Sequence, residues 1–294
     1  MNANLASRMK MAKQKAEAFL RSEKLLGPLP VDPFKIAATR NIVVTPKPDS
    51  APGVSGMLLR HGNNFGILYA THIDNDGYQR FSIGHELGHY FLEGHVDHVF
   101  AKGGIHASHA GFVSADPFEL EADCFASGLL MPAGPLQKIL RLRDPGFAMV
   151  EKIAGDCRTS LTASAIRYSE ITDDAVCVIV STAGVVDFAF LSDAMKSLPS
   201  IQWIKKGTTV PAETATAKFS PEQVLAAQRT AADIDVRYWL GGTKREIVSE
   251  EVIGLGSYGK TLTVLSSTPI GAEDETDDEE EERLIESWTP RFSR

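Results

Sequence analysis

Long apolar runs, cysteine and clustered positive charge are all scarce in this chain of 294 residues. The most hydrophobic stretch, Ala175 to Val186, is bounded by Asp174 and Asp187. It falls short of the roughly 20 apolar residues that a membrane-spanning helix needs. Met1 to Leu26 is dotted with Arg8, Lys10, Lys13, Lys15, Glu17 and Arg21, which leaves no apolar stretch for a secretory signal. Cysteine occurs three times, as Cys124, Cys157 and Cys177, with no C-x-x-C pair. That argues against a disulfide framework and for a reducing compartment, so the cytoplasm is the expected location. Basic residues number 30 against 38 acidic, for a net charge of −8. Nine of the acids fall between Glu273 and Glu282, interrupted only by Thr276, and without them 29 acids face 30 bases. A body so balanced offers no clustered cations to hold nucleic acid or an anionic membrane, and direct binding to either is not expected. Disorder of the whole chain is excluded as well, because 43% of the residues are hydrophobic.

What is present reads as a helical first half and a smaller α/β second half joined near residue 172. Periodicity predicts helices over 5–25, from Asp32-Pro33 to Thr39, over 79–93, from Asp116-Pro117 to Met131, and as a broken pair over 147–170. The stretch Gly53 to Ala70 reads as a β-hairpin around His61-Gly62-Asn63-Asn64, and Val43 to Pro46 as extended. A loop rich in Gly, His and Ser is expected between Gly94 and Asp116. Beyond Asp174, a second hairpin turns at Ala183-Gly184, and Ser220-Pro221-Glu222-Gln223 has the residues of a capping box opening a helix to about Ala232. Strands are expected over 236–240, 245–253 and 261–266.

The chemistry is concentrated in His85-Glu86-Leu87-Gly88-His89, an H-E-x-x-H pattern inside a predicted helix. Spacing i, i+4 sets both imidazoles on one helix face, where they can meet a single zinc ion. Glu86 lies beside them, where its carboxylate can take a proton from water. A catalytic site needs a third protein ligand and an open position. One candidate is Glu119, with Asp123 one turn further on accepting a hydrogen bond from a ligand imidazole. Glu121, about 200° around the helix from Glu119, is expected to be solvated. The competing candidate is His95, at the position of the third histidine in H-E-x-x-H-x-x-G-x-x-H. That pattern asks for glycine where Leu92 stands, and Gly94 comes two residues later. His98, His106 and His109 are expected to decorate the polar loop.

Arg80-Phe81-Ser82-Ile83-Gly84-His85-Glu86-Leu87-Gly88-His89-Tyr90-Phe91-Leu92, followed by Glu119-x-Glu121-Ala122-Asp123 and Leu129-Leu130-Met131-Pro132, resembles the ImmA/IrrE family of metallopeptidases. The likeness covers roughly residues 30–135, with Gly84 where alanine is expected, and a weaker likeness to the longer, IrrE-like members continues beyond it. It implies one zinc ion held by His85, His89 and Glu119 in a thermolysin-like arrangement, with Glu86 as the catalytic glutamate. It further implies a metallo-endopeptidase whose protein substrate is an XRE-like helix-turn-helix repressor, cleaved to release stress or mobile-element genes. The implied architecture is α+β. A mostly helical zincin-like peptidase domain with a small sheet (1–145) leads into a helix-turn-helix-like connector (146–172). A C-terminal α/β, GAF-like regulatory or docking domain (173–272) follows. Separately, Leu284, Ile285 and Trp288 fall on one helix face, so the acidic run is expected to lead into a docked helix (273–294).

Other signals carry less. Gly254-Leu255-Gly256-Ser257-Tyr258-Gly259-Lys260-Thr261 satisfies G-x-x-x-x-G-K-[ST], but Leu262 to Leu265 reads as a strand where a phosphate-binding loop needs a helix. The helix over 160–170 offers only Arg167 as a cation, too little for a recognition helix. Cys124 reads as a buried, inert thiol. Tyr78 and His72 are the named candidates for stabilising an oxyanion. The rival class is a non-enzymatic DNA- or ligand-binding regulator whose zinc is structural.

Overall fold

The computed structural model describes residues 3–27, 29–47, 53–101, 103–108, 116–141 and 145–267. The acidic run and the helix expected after it (273–294), like His109, lie outside the described residues. Among those described are twelve α-helices and two sheets, a mixed α+β fold. None of the helices is long and apolar enough to cross a membrane. The chain divides into two compact units, Met1–Leu142 with Val150–Arg167, and Arg143–Met149 with Tyr168–Arg294.

In the first unit, α1 (Ala3–Ser22) buries Ala12, Ala16 and Leu20, four residues apart along one face. Next comes α2 (Pro33–Thr39), whose fixed start follows from its sequence: the Asp32 carboxylate accepts from the amides of Phe34 and Lys35, and Pro33 needs no partner for a missing N–H. Strands β1 (Val43–Lys47), β2 (Gly56–His61) and β3 (Asn64–Ala70) lead to α3 (Asp76–Phe91). The segment expected to be a loop instead holds a short helix, α4 (His95–Val99), and a strand, β4 (Ile105–Ser108). Polar composition hid β4, because its ladder to β2 is a tertiary contact that local pattern does not encode. The sheet order is β1-β3-β2-β4, antiparallel except for β1 beside β3.

Helix α5 (Pro117–Leu130) is capped by Asp116, and α6 (Ala133–Leu140) follows the turn at Pro132. The pair α7 (Phe147–Cys157) and α8 (Leu161–Ile171) breaks where expected, with the Ser160 hydroxyl accepting from the Ala163 amide. Residues 150–167 of that pair cluster with the first unit. The core of this unit gathers Leu20, Ile36, Leu58, Ile67, Ile83, Leu87, Phe125 and Leu129, all at most 1% exposed. Gly88 decides how closely α3 and α5 approach: a methyl group there would come within 3.0 Å of the Ala122 Cα.

The second unit is a five-stranded antiparallel sheet of order β6-β5-β9-β8-β7. Its strands are β5 (Ala175–Thr182), β6 (Val185–Leu191), β7 (Arg229–Asp235), β8 (Ile247–Gly254) and β9 (Lys260–Ser267). Between them stand single-turn helices α9 (Asp193–Lys196), α10 (Ala215–Lys218), α11 (Pro221–Leu225) and α12 (Arg237–Leu240). The capping box at Ser220 and Gln223 forms, yet the helix stops at Leu225 where Ala232 was expected. Ala227 takes a left-handed φ of 49°, and the following residues pair with β8 instead. Tertiary pairing here outweighs the helical preference of Ala226, Ala227, Ala231 and Ala232. The strand expected over 236–240 is helical, because the Asp235 carboxylate caps Arg237 and the turn buries Trp239 and Leu240. The G-x-x-x-x-G-K-T segment is a tight connection between β8 and β9, and Lys260 Nζ bonds Asp187 at 2.6 Å.

Candidate metal centre

Two helices carry the candidate residues. α3 begins at Asn75, whose side chain accepts from the Tyr78 amide at 3.0 Å, and runs without interruption through His85, Glu86 and His89. It stops at Leu92, which is extended, and Gly94 then reverses the chain with a φ of 78°. Helix α5 contributes Glu119, Glu121 and Asp123. Since Gly84 and Gly88 bring the helix axes together against Ala126 and Ala122, side chains of both helices meet in one buried space.

His85, His89 and Glu119 converge there. Their ligand atoms all lie within 4.8 Å of one another. The Nε2 atoms of His85 and His89 are 3.1 Å apart, and each is 3.3 Å from a Glu119 oxygen. Two neutral-capable imidazoles and a carboxylate aimed at one point are a donor set that suits a divalent ion of the zinc class. On the far side of its ring, His85 Nδ1 meets Asp123 at 2.8 Å, as the helical spacing of Glu119 and Asp123 implied. That bond commits Nδ1 and leaves Nε2 for the shared point.

Glu86 is fully buried, and neither of its carboxylate oxygens has a hydrogen bond of good geometry among the described residues, although the Ser108 hydroxyl stands close enough to favour its charged form. Space for it comes from β2: a methyl on Gly56 would lie 2.6 Å from Glu86 Oε1. Burial pushes the Glu86 carboxyl up to about 7, against the opposing pull of the His85 charge. Burial also opposes the charged form of His85, but Asp123 and Glu119 more than offset it and raise the imidazole to about 10. His89 moves the other way, to about 3, because burial dominates over Glu119. Burial likewise opposes the charge on Glu119, which hydrogen bonds from His106, His85 and His89 overcome, so its carboxyl sits far below the usual range.

Two expectations are corrected, for Glu121 and His106, and the competing candidate for the third ligand drops out. His95 does not join the convergence: it is buried with Nδ1 3.2 Å from His89 Nδ1 and Nε2 2.9 Å from Glu121. Glu121 is not solvated but 9% exposed, held between His95 and the Arg8 guanidinium of α1. Its direction around α5 was read correctly; what the helical wheel omits is that α1 and α4 cover that face. His106 leaves the polar loop for β4, and its Nε2 reaches Glu119 Oε1 at 3.0 Å. No spacing signal announces that contact, because the β2–β4 ladder creates it. His98 remains partly exposed, stacked on Phe118 at 3.8 Å between centroids. Tyr78 and His72 stand at and before the start of α3, and Tyr78 is about 10 Å of helix rise from His85. All three cysteines are buried and none is joined in a disulfide among the described residues.

Comparison with known proteins adds a domain match and a similar fold. Residues 37–156 match the model of the IrrE N-terminal-like domain, peptidase family M78. By structure the chain is similar to a Mycobacterium tuberculosis transcriptional regulator, with a TM-score of 0.56 and 12% identity over 87% of this chain and 76% of that one. Among curated proteins, none matches the sequence.

Proposed function

We propose that this chain, whose residues 37–156 carry an IrrE N-terminal-like M78 domain, is a zinc-dependent metallo-endopeptidase of zincin-like fold. The observation that carries the reading is Glu86: a fully buried carboxylate with no well-formed hydrogen bond among the described residues, beside two imidazoles and a carboxylate that converge on one point. A structural role would not keep such a group uncompensated, because desolvating it unpaired costs several kcal/mol. His85, His89 and Glu119 are the residues that would hold the ion, and Asp123 fixes the tautomer of His85. Zinc bound there supplies Lewis acidity, polarising a scissile carbonyl and making water acidic enough to ionise near neutral pH. Glu86 accepts the proton of the attacking water and returns it to the leaving amine.

The proposed substrate is an XRE-like helix-turn-helix repressor in the cytoplasm. The ImmA/IrrE resemblance supports it, and the similarity in fold to a transcriptional regulator is compatible with it. In this reading the second unit is a GAF-like regulatory or docking domain. The test is to incubate the full chain and its Glu86→Gln variant, both loaded with zinc, with such a repressor. Cleavage by the wild type alone is the expected result, and equal cleavage by both would overturn the role of Glu86.

One observation favours a second reading, a non-enzymatic regulator with structural zinc. Such a site needs a fourth protein ligand, and His106 is close enough to Glu119 to be considered. Zinc lost from His106→Ala as completely as from His85→Ala would support that alternative.

A further inference from the structure

We propose that His95, Glu121 and Arg8 form a buried relay that positions His89 for metal binding, tying the site to the first helix of the chain. The inference rests on the reading of His85, His89 and Glu119 as ligands.

Hydrogen-bond direction carries the argument. Two imidazole nitrogens 3.2 Å apart, as in His89 Nδ1 and His95 Nδ1, can bond only if one holds the hydrogen and the other a lone pair. The second nitrogen of His95 decides which. It faces a Glu121 oxygen at 2.9 Å, and Glu121 is ion-paired through its other oxygen with Arg8. A carboxylate so engaged accepts, so His95 carries its hydrogen on Nε2 and offers a lone pair at Nδ1. His89 must then carry its own hydrogen on Nδ1. Its Nε2 is left with a lone pair, directed at Glu119 and at His85 Nε2.

The relay is packed as well as bonded. Both histidines are 0% exposed. Phe118 meets the His95 ring edge-on at 4.9 Å between centroids, and the Arg8 guanidinium lies 5.2 Å above the same phenyl ring. The two presumed ligand imidazoles therefore obtain the same tautomer by different routes. His85 uses a carboxylate directly, through Asp123. His89, one turn along the same helix, uses a histidine, a glutamate and an arginine in series. Both nitrogens of His95 are spent on this, which explains why it is not itself a ligand. Arg8 lies outside residues 37–156, so the site extends beyond the matched domain.

Chelator-competition titration of the metal-free full chain with zinc tests this, with visible absorption of the cobalt-loaded protein as the second readout. His95→Leu should weaken zinc binding roughly 10–100-fold, the usual cost of losing a partner of a ligating histidine. His95→Asn, whose side-chain oxygen can sit where Nδ1 does, should recover part of that loss at the same melting temperature. Arg8→Met, which keeps an unbranched side chain against Phe118, should cost several-fold, and the cobalt spectrum should shift in both His95→Leu and Arg8→Met. Wild-type affinity and spectrum in these two variants would overturn the relay. If His95→Leu does not fold, Arg8→Met and Glu121→Gln decide, and unchanged affinity in both overturns it. Zinc lost from His85→Ala but not from the relay variants defeats the relay alone. Zinc retained in His85→Ala defeats the reading of the ligands, and the relay with it.

Discussion

Two fully buried glutamates, one in each unit, are treated in opposite ways. Glu250, on β8 of the second unit, has four donors: the amides of Ala215 and Thr216, the Thr216 hydroxyl at 2.6 Å and the Trp239 indole at 3.2 Å. Glu86, on α3 of the first, has no donor in good geometry among the described residues, with the Ser108 hydroxyl standing nearby. Both cost desolvation; one is compensated by four hydrogen bonds and the other only in part, by neighbouring charge. The first residue organises its unit by pinning α10 and α12 to the sheet. In the proposed reading the second is held ready for a proton, and the stability it forgoes would distinguish a reactive carboxylate from a structural one.

The sharpest way to break this contrast is Glu86→Gln. Loss of a general base should reduce repressor cleavage by roughly 10²–10⁴-fold. The same change removes an uncompensated buried charge, so the melting temperature of the metal-free protein should stay level or rise. A lower melting temperature would mean that Glu86 is structural after all. The reciprocal change, Glu250→Leu, should leave four donors without an acceptor and destabilise its unit by about 3 kcal/mol, measured by denaturant unfolding. If Glu250→Leu costs no more than Glu86→Gln, the two carboxylates do not differ in kind.

A subtler perturbation separates proton transfer from metal binding. Gly56→Ala adds a methyl within 2.6 Å of Glu86 Oε1 while touching no presumed ligand. It should lower the cleavage rate about tenfold, through misplacement of the base, with zinc content unchanged. Zinc loss in this variant would show that β2 supports the ligands too.

Local pattern made much of the first unit legible. The H-E-x-x-H spacing, the Asp32 and Asp116 caps and the i, i+4 relation of Glu119 and Asp123 are all encoded within one or two helical turns. What escaped is what long-range contacts create. His106 reaches Glu119 only because β4 pairs with β2, and Glu121 is buried only because α1 and α4 cover it. Gly56 gave no sequence signal, since its function is to be absent from the space Glu86 occupies. In the second unit, alanines with a strong helical preference became strand β7 because an open sheet edge was available to pair with them.

The smallest expected effect lies at the surface of the second unit, in the pair formed by Asp187 and Lys260. Burial opposes ionisation of Asp187, but the Lys260 ammonium and Thr182 hydroxyl together outweigh it and hold its carboxyl below the usual value. A folded-state pKa below the unfolded one means that the native state releases its proton more readily. The resulting stability is complete above the unfolded value near 4 and disappears as pH falls through the folded one. Both side chains are partly solvated, so the pair contributes only about 0.5 kcal/mol. Lys260→Met should therefore lower stability by about that amount at neutral pH and by less at about pH 3, narrowing the gap to wild type on acidification. A gap that widened with acid would mean that Lys260 serves some other partner, and that the G-x-x-x-x-G-K-T segment is more than the tight connection it forms here.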